Sequence, residues 1–185
     1  MKKKDVIING ATELFVAKGF SASTNELISR VGIAKGTLYH HFKSKDQLIV
    51  EIYKTLMFEI ETECVSEMLE EEDPLAYTKD VFAKIVRWFI KNPSKFHYIN
   101  SFEASPYSSI HALSLRETLN GPQKNIMQKV NMGVMKNYST ELITFFDFAF
   151  TRSTANYFLS QPNPMGKFRQ EFDEAFDLYW NGASR

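Results

Sequence analysis

An eleven-residue stretch, Gly-Ile-Ala-Lys-Gly-Thr-Leu-Tyr-His-His-Phe at positions 32–42, combines a turn with side chains that can contact nucleic acid. Leu38 and Phe42 lie four residues apart, so they give the helix after the turn one apolar edge. The opposite edge then carries small or polar groups, which suits entry into the major groove of duplex DNA. The residues predicted to face outward on this edge are Gly36, Thr37, Tyr39, His40 and Lys43.

Each of these outward residues has a chemistry that fits DNA. Gly36 has no side chain, so the backbone can approach the duplex closely. Thr37 can donate a hydrogen bond to a phosphate or touch a thymine methyl group. Tyr39 offers a hydroxyl and a ring, and His40, the most outward residue, can reach base edges. The alternative is a three-helix structural cap whose polar face is only solvated.

Positive charge surrounds the stretch. Lys35 and Lys45 can neutralise phosphates, and the backbone amides at the helix starts near Ser23 and Lys45 are further anion sites. Residues 1–50 contain eight Lys and Arg against four Asp and Glu, although the whole chain has no net charge. A basic end on an acidic body fits a phosphate-binding headpiece.

Helical segments on both sides position the stretch. Apolar residues at helical spacing predict a first helix over 3–18, which Gly19 ends. Ser23 and Glu26 form a capping box that opens a second helix. The third helix covers about 34–41, and a second capping box, Ser44 with Gln47, opens a long fourth helix that reaches about Glu71.

The rest of the chain is also predicted to be helical. Helices are expected at 74–91, 94–104, 107–119, 123–136, 140–159 and 166–181, and no segment alternates with period two. The expected fold class is all-α, with a three-helix helix-turn-helix headpiece and a larger helical body. The predicted domains are 1–46 for DNA binding and 47–185 for the body.

Residues 3–53 resemble the N-terminal domain of the TetR (tetracycline-repressor-like) family of transcriptional regulators. The resemblance is carried by Ala11-Thr-Glu-Leu-Phe15, Lys18-Gly-Phe20, Val31-Gly-Ile33, Lys35-Gly-Thr-Leu-Tyr-His-His-Phe42 and Lys43-Ser-Lys-Asp-Gln-Leu48. It implies DNA contacts at Lys35, Thr37, Tyr39, His40 and Lys45. Ala34 stands where the family usually has serine, so the third helix lacks a side-chain cap, which costs about 1 kcal/mol.

The same resemblance implies that the body, residues 47–185, is a ligand-binding and dimerisation domain with a small-molecule cavity. Of 26 aromatic residues, 22 follow residue 50, and one region mixes rings with polar groups, as small-molecule sites do. Ordinary core packing is the alternative for each of these side chains. The candidate effector-binding residues are Trp88, Phe96, His97, Tyr98, Asn100, Phe102, Glu103 and Tyr107.

The last two long helices, 140–160 and 166–181, would form a homodimer interface by this resemblance. A helix that is apolar nearly all round must be covered on more than one side, and a four-helix bundle across a two-fold axis would do that. Complete burial within one chain is the alternative. The candidate interface residues are Phe145, Phe146, Phe150, Phe172 and Phe176.

The implied function is a ligand-responsive regulator that binds an inverted-repeat operator in double-stranded DNA. Repression relieved by a small-molecule effector is the commoner outcome in the family; an activator, or a DNA-binding dimer without an effector, are the alternatives. No enzymatic activity, metal or cofactor is expected. The four histidines have no metal-ligand spacing, and no phosphate-binding glycine loop or nucleophile motif occurs.

No signal peptide and no apolar run of about 18 residues is present, so a soluble, cytoplasmic protein without a membrane partner is expected. The single cysteine, Cys64, excludes an intrachain disulfide. A buried inert thiol is expected there, with a redox sensor as the alternative.

Overall fold

The computed structural model describes residues 3–65, 73–110 and 139–183, and every regular element within these ranges is a helix. This confirms the all-α class for the described part of the chain. The helices are α1 Lys3–Lys18, α2 Thr24–Val31, α3 Lys35–His41, α4 Lys45–Cys64, α5 Pro74–Lys91, α6 Pro93–Glu103, α7 Pro106–Ile110, α8 Thr140–Leu159 and α9 Phe168–Ala183.

Helix ends follow local chemistry. α4 is described to Cys64, and the predicted continuation to about Glu71 lies outside the described residues. Asp73 caps α5: its carboxylate accepts hydrogen bonds from the amides of Leu75 and Ala76. The predicted helix at 123–136 and residues 111–119 lie outside the described residues.

The chain divides into two compact units. The headpiece unit comprises Met1–Glu59 and Ser94–Thr118, and the body unit comprises Ile60–Pro93 and Leu119–Arg185. The headpiece unit therefore contains α1–α3, most of α4, and α6 and α7. This structural division differs from the predicted boundary at residue 46, which concerns function and stays a prediction.

The headpiece unit has a core of aliphatic and aromatic side chains from its first four helices. Ile7 and Ala11 of α1 and Leu27 of α2 are fully buried. The α1 helix packs against α2 at Gly10, where an added Cβ would lie 2.4 Å from a methyl carbon of Val31. Any side chain at position 10 would therefore require Val31 to move.

The body unit has an aromatic core. Phe82 of α5 contacts Phe150 of α8 and Phe176 of α9, with ring centroids 5.6 and 6.0 Å apart. Cys64 is buried in this unit, and burial raises the pKa of its thiol to about 11. The thiol therefore stays protonated near neutral pH, as an inert buried cysteine does. Within the described ranges, no helix is both long and apolar enough to cross a bilayer.

Candidate nucleic-acid interface

Backbone hydrogen bonds at the end of α2 stabilise the turn between α2 and α3. Gly32 adopts a left-handed conformation, φ +69°, and its amide donates to the carbonyl oxygen of Ile28 at 3.0 Å. The amide of Ile33 donates to the same oxygen at 3.3 Å. Ala34 then leads into α3 in an extended conformation, with no side-chain hydrogen bond to the helix start. The missing side-chain cap predicted from the sequence is confirmed.

The seven-residue α3 has the two edges that its sequence predicts. Leu38 and Phe42 are each only 2% exposed, whereas Tyr39 is 42% exposed and His40 is also exposed. No atom lies within 4 Å of a Cβ added at Gly36, so open space surrounds this backbone. Of the other predicted contacts on this helix, Lys35 is exposed and Thr37 is half-buried.

The lysines around α3 differ from Lys4 and Lys18 of the same unit, which are paired with carboxylates. Lys4 pairs with Glu51 at 2.7 Å, and Lys18 pairs with Glu26 at 2.6 Å. Lys35, Lys43 and Lys45 form no ion pair with any residue in the described part of the chain. Lys35 and Lys43 are exposed and Lys45 is half-buried. Their charge is therefore available to phosphates.

The start of α2 contains the predicted capping box. The hydroxyl of Ser23 accepts from the amide of Glu26 at 3.2 Å, and the Glu26 carboxylate accepts from the amide of Ser23 at 2.9 Å. Hydrogen bonds from Lys18 and Ser23 lower the pKa of Glu26 to about 2. An ionised carboxylate thus already occupies this anion site, so a DNA phosphate would meet competition at Ser23.

The start of α4 shows half of its predicted capping box. The hydroxyl of Ser44 accepts from the amide of Gln47 at 3.1 Å. The Gln47 side chain does not return the bond to Ser44. Instead it accepts from the amide of Lys43 at 2.6 Å, one residue earlier. This bond fixes the backbone of Lys43 between α3 and α4.

Most of the predicted effector-binding residues lie on α6 and α7 within the headpiece unit. Phe96, Tyr98 and Phe102 are fully buried there. Glu103 accepts a hydrogen bond of 2.9 Å from the hydroxyl of Tyr53 on α4. The remaining candidates are dispersed: His97 is exposed, Asn100 and Tyr107 are half-buried, and Trp88 is buried on α5 in the body unit. The structure therefore places seven of the eight in one unit.

One contact residue of this region was not predicted from the sequence. The Phe20 ring, in the turn after α1, contacts the rings of Tyr98 and Tyr107 at centroid distances of 5.5 and 5.6 Å. The Tyr107 hydroxyl also donates to the carboxylate of Asp46 at 3.1 Å. The only sequence signal was the aromatic residue in the Lys18-Gly-Phe20 stretch.

The predicted interface residues separate into two groups in the body unit. Phe145 and Phe146 of α8 are 62% and 55% exposed. Phe172 and Phe176 are buried in the core of their own chain, so a second chain has almost no surface of theirs to cover. Phe150 is half-buried. Of the five predicted interface residues, Phe145 and Phe146 therefore have the most surface for a second chain to cover.

Comparison with known proteins bears directly on the headpiece. Residues 7–52 match the family described as bacterial regulatory proteins, tetR family. The match covers most of α1, all of α2 and α3, and the first turns of α4. Every predicted DNA contact lies within it.

Individual relatives extend this match along the chain. The HTH-type transcriptional regulator YhgD of Bacillus subtilis is 24% identical over 152 residues, which are 77% of each chain. The HTH-type transcriptional regulator QacR of Staphylococcus aureus is 43% identical over 53 residues, 28% of each chain. A crystal structure from Shewanella sp. PV-4, assigned to the tetR family of transcription regulators, aligns over 100% of both chains with a TM-score of 0.86 and 25% identity. With the helix-turn-helix geometry, these matches identify residues 7–52 as a DNA-binding domain of the tetR family of bacterial regulatory proteins, and the whole chain is similar in fold to a TetR-family transcription regulator.

Proposed function

We propose that the protein binds an inverted-repeat operator as a homodimer and represses transcription until a small-molecule effector releases it. The observation that carries this proposal is the outward edge of α3. Tyr39 and His40 are exposed there, beside open backbone at Gly36. A recognition helix reads base edges with such side chains.

In this proposal the lysines position the protein and α3 reads the sequence. Lys35, Lys43 and Lys45 neutralise phosphates, which favours any duplex and makes affinity fall with salt. Thr37, Tyr39 and His40 contact sugars, phosphates or base edges. Ser23 contributes through its amide only where a phosphate displaces the Glu26 carboxylate.

The exposed apolar surface of the body unit supports a homodimer. Leu142, Phe145 and Phe146 on α8 and Leu178 on α9 are 44–81% exposed. Adjacent exposed apolar side chains, such as the contacting rings of Phe145 and Phe146, are typical of interaction surfaces. A two-fold dimer would cover them and hold two copies of α3 about 34 Å apart, the separation of successive major grooves on one side of DNA.

The contacts of α6 and α7 support an effector response. Tyr98 bonds to Ile49, and Tyr107 bonds to Asp46, the neighbour of the proposed phosphate contact Lys45. An effector that prefers a state in which α4 has moved weakens DNA binding through its differential affinity alone. Repression relieved in this way is the commoner outcome in the family. A dimer without an effector would keep these contacts as structural packing only.

Selection from a random duplex library with the purified chain tests the proposal. We expect the enriched duplexes to contain an inverted repeat whose half-site centres lie about one helical turn, or a multiple of it, apart. Enrichment of single unpaired half-sites would contradict the dimer, and a pool without any shared sequence would contradict specific DNA reading.

A further inference from the structure

A groove of the body unit lies between one face of α5 and the first turns of α9 and has a volume of about 550 Å³. Small-molecule sites typically enclose roughly 300–1,000 Å³. Among its lining residues only Phe172 belongs to the predicted site residues, and that side chain is buried. The groove is therefore not used by the proposed DNA contacts.

The acidic side chains of the groove are already neutralised by lysines. Asp173 of α9 pairs with Lys79 of α5 at 3.0 Å. Asp80 pairs with Lys84, one turn further along α5, at 2.6 Å. Neither carboxylate is left to attract a cationic ligand strongly, because each has its own ammonium partner.

Two arginines at one end of the groove have no such partner. Arg87 lies over the ring of Phe168, 4.5 Å from its centroid, and Arg169 is the next residue along α9. Neither guanidinium forms an ion pair with a described residue. Because a guanidinium presents paired donors, this end of the groove is suited to a carboxylate.

The opposite end of the groove is apolar. Leu75, in the first turn of α5, is 38% exposed there and is followed by Ala76, which is also exposed. Leu75 and Arg87 lie twelve residues apart on one helix, a distance of about 18 Å at 1.5 Å per residue. Ala83 and Phe172 line the groove as well. The groove thus has one cationic end and one apolar end.

We infer that this groove binds an amphipathic carboxylate, with its head on Arg87 and Arg169 and its apolar chain directed toward Leu75. A small polar anion would use the arginines but not the apolar end. A neutral or cationic amphiphile would use the apolar end but leave two guanidinium groups unpaired. Only a ligand with both features satisfies the whole groove.

Calorimetric titration of the full chain without DNA tests the ligand class, with decanoate as the probe. Decanol, decyltrimethylammonium and acetate are the comparison compounds. We expect decanoate to bind about tenfold tighter than each of them, because a charged hydrogen-bonded head and an apolar tail each contribute to affinity. Equal binding of decanol would overturn the role of the arginines, and equal binding of acetate would overturn that of the apolar end.

Substitutions test whether decanoate binds in this groove. Arg169→Gln should weaken decanoate binding about fivefold or more, since Arg169 is exposed and its loss leaves the fold intact. Lys167→Gln removes the same charge from an exposed position outside the groove and should leave binding unchanged. Leu75→Asn should weaken decanoate but not acetate. If Arg169→Gln binds decanoate like the unmodified chain, the groove assignment is wrong.

This inference is independent of the proposed operator. Binding is measured on the protein alone, so its failure leaves DNA recognition untouched. Decanoate that releases DNA from the Arg169→Gln chain as well as from the unmodified chain would overturn the groove as its site. The same result would support an effector response elsewhere in the chain.

Discussion

The hydroxyl of Tyr98 on α6 donates a 2.8 Å hydrogen bond to the backbone carbonyl oxygen of Ile49 on α4, and both residues are buried. Burial raises the pKa of Tyr98 above its ordinary range, so the hydroxyl keeps its proton and remains a donor. Ile49 lies one helical turn after Lys45, which we propose contacts phosphate. This bond therefore joins α6 to the part of α4 that is nearest to the DNA-binding residues.

Removing the Tyr98 hydroxyl tests how much its hydrogen bond between α6 and α4 stabilises the fold. Tyr98→Phe keeps the ring but takes the donor from α6, so we expect a loss of about 1–2 kcal/mol in the free energy of unfolding. Chemical denaturation measures it. Tyr157→Phe is the matched control, because that hydroxyl bonds to Glu171 at an exposed position. Equal losses in the two variants would contradict the structural importance of the buried bond.

If Lys45 contacts a DNA phosphate, replacing it should change how operator affinity depends on salt concentration. Lys45→Ala should weaken operator binding and reduce the slope of log affinity against log salt by about 0.9 for each phosphate that the variant no longer neutralises. Fluorescence anisotropy at several salt concentrations measures both. Lys91→Ala, at an exposed position in the body unit, is the control and should change neither. An unaltered slope in Lys45→Ala would show that this lysine does not neutralise a phosphate.

The exposed rings of α8 predict that a charge introduced among them changes the oligomeric state. Phe146→Glu places a charge on a surface that a second chain would have to desolvate, so we expect the chain to become monomeric. Light scattering after size-exclusion chromatography measures the mass. Ile110→Glu changes an equally apolar side chain, 73% exposed on α7, and should leave the mass unchanged. A dimeric Phe146→Glu chain would count against an interface at this position.

Asp147 predicts a pH dependence of stability. Burial raises its pKa from 3.8 to about 7, although a hydrogen bond from the Tyr179 hydroxyl opposes the shift. The folded chain therefore holds a proton that the unfolded chain releases above pH 3.8. This contribution is complete below pH 3.8 and is lost as the pH rises to 7, by about 4 kcal/mol in all.

The variant Asp147→Asn isolates that effect. Its neutral amide can still accept from Tyr179, so it should be more stable than the unmodified chain at pH 8 and should vary less between pH 5 and 8. Asp177→Asn, at an exposed position on α9, is the control and should retain the original pH profile. Thermal unfolding at pH 5, 6.5 and 8 compares the three chains. Parallel profiles for the unmodified chain and Asp147→Asn would show that Asp147 does not titrate in this range.

Local signals made the headpiece predictable from the sequence. The spacing of Leu38 and Phe42 determines which edge of α3 is buried, and Gly19 and Gly32 end their helices by adopting positive φ. The Ser23 capping box is likewise set by side chains three residues apart. Such features depend on neighbours along the chain, so a single sequence suffices to predict them.

Contacts between distant residues were not predictable in the same way. Phe20 meets Tyr98 and Tyr107 across more than seventy residues, and nothing in the local pattern pairs them. Phe145 and Phe150 both lie on the apolar helix α8, yet one is exposed and the other is half-buried. Which stripe of such a helix faces its own core depends on tertiary packing, which helical periodicity alone does not specify.

Binding of the chain to whole and half operators tests the central claim most directly. An anisotropy titration at fixed salt would compare the selected inverted repeat with the same duplex carrying one scrambled half-site, using the unmodified chain and Tyr39→Ala. We predict at least about tenfold weaker binding of the unmodified chain to the half-operator, and loss of the preference for the intact repeat in Tyr39→Ala. Equal affinity of the unmodified chain for both duplexes would contradict recognition by paired copies of α3.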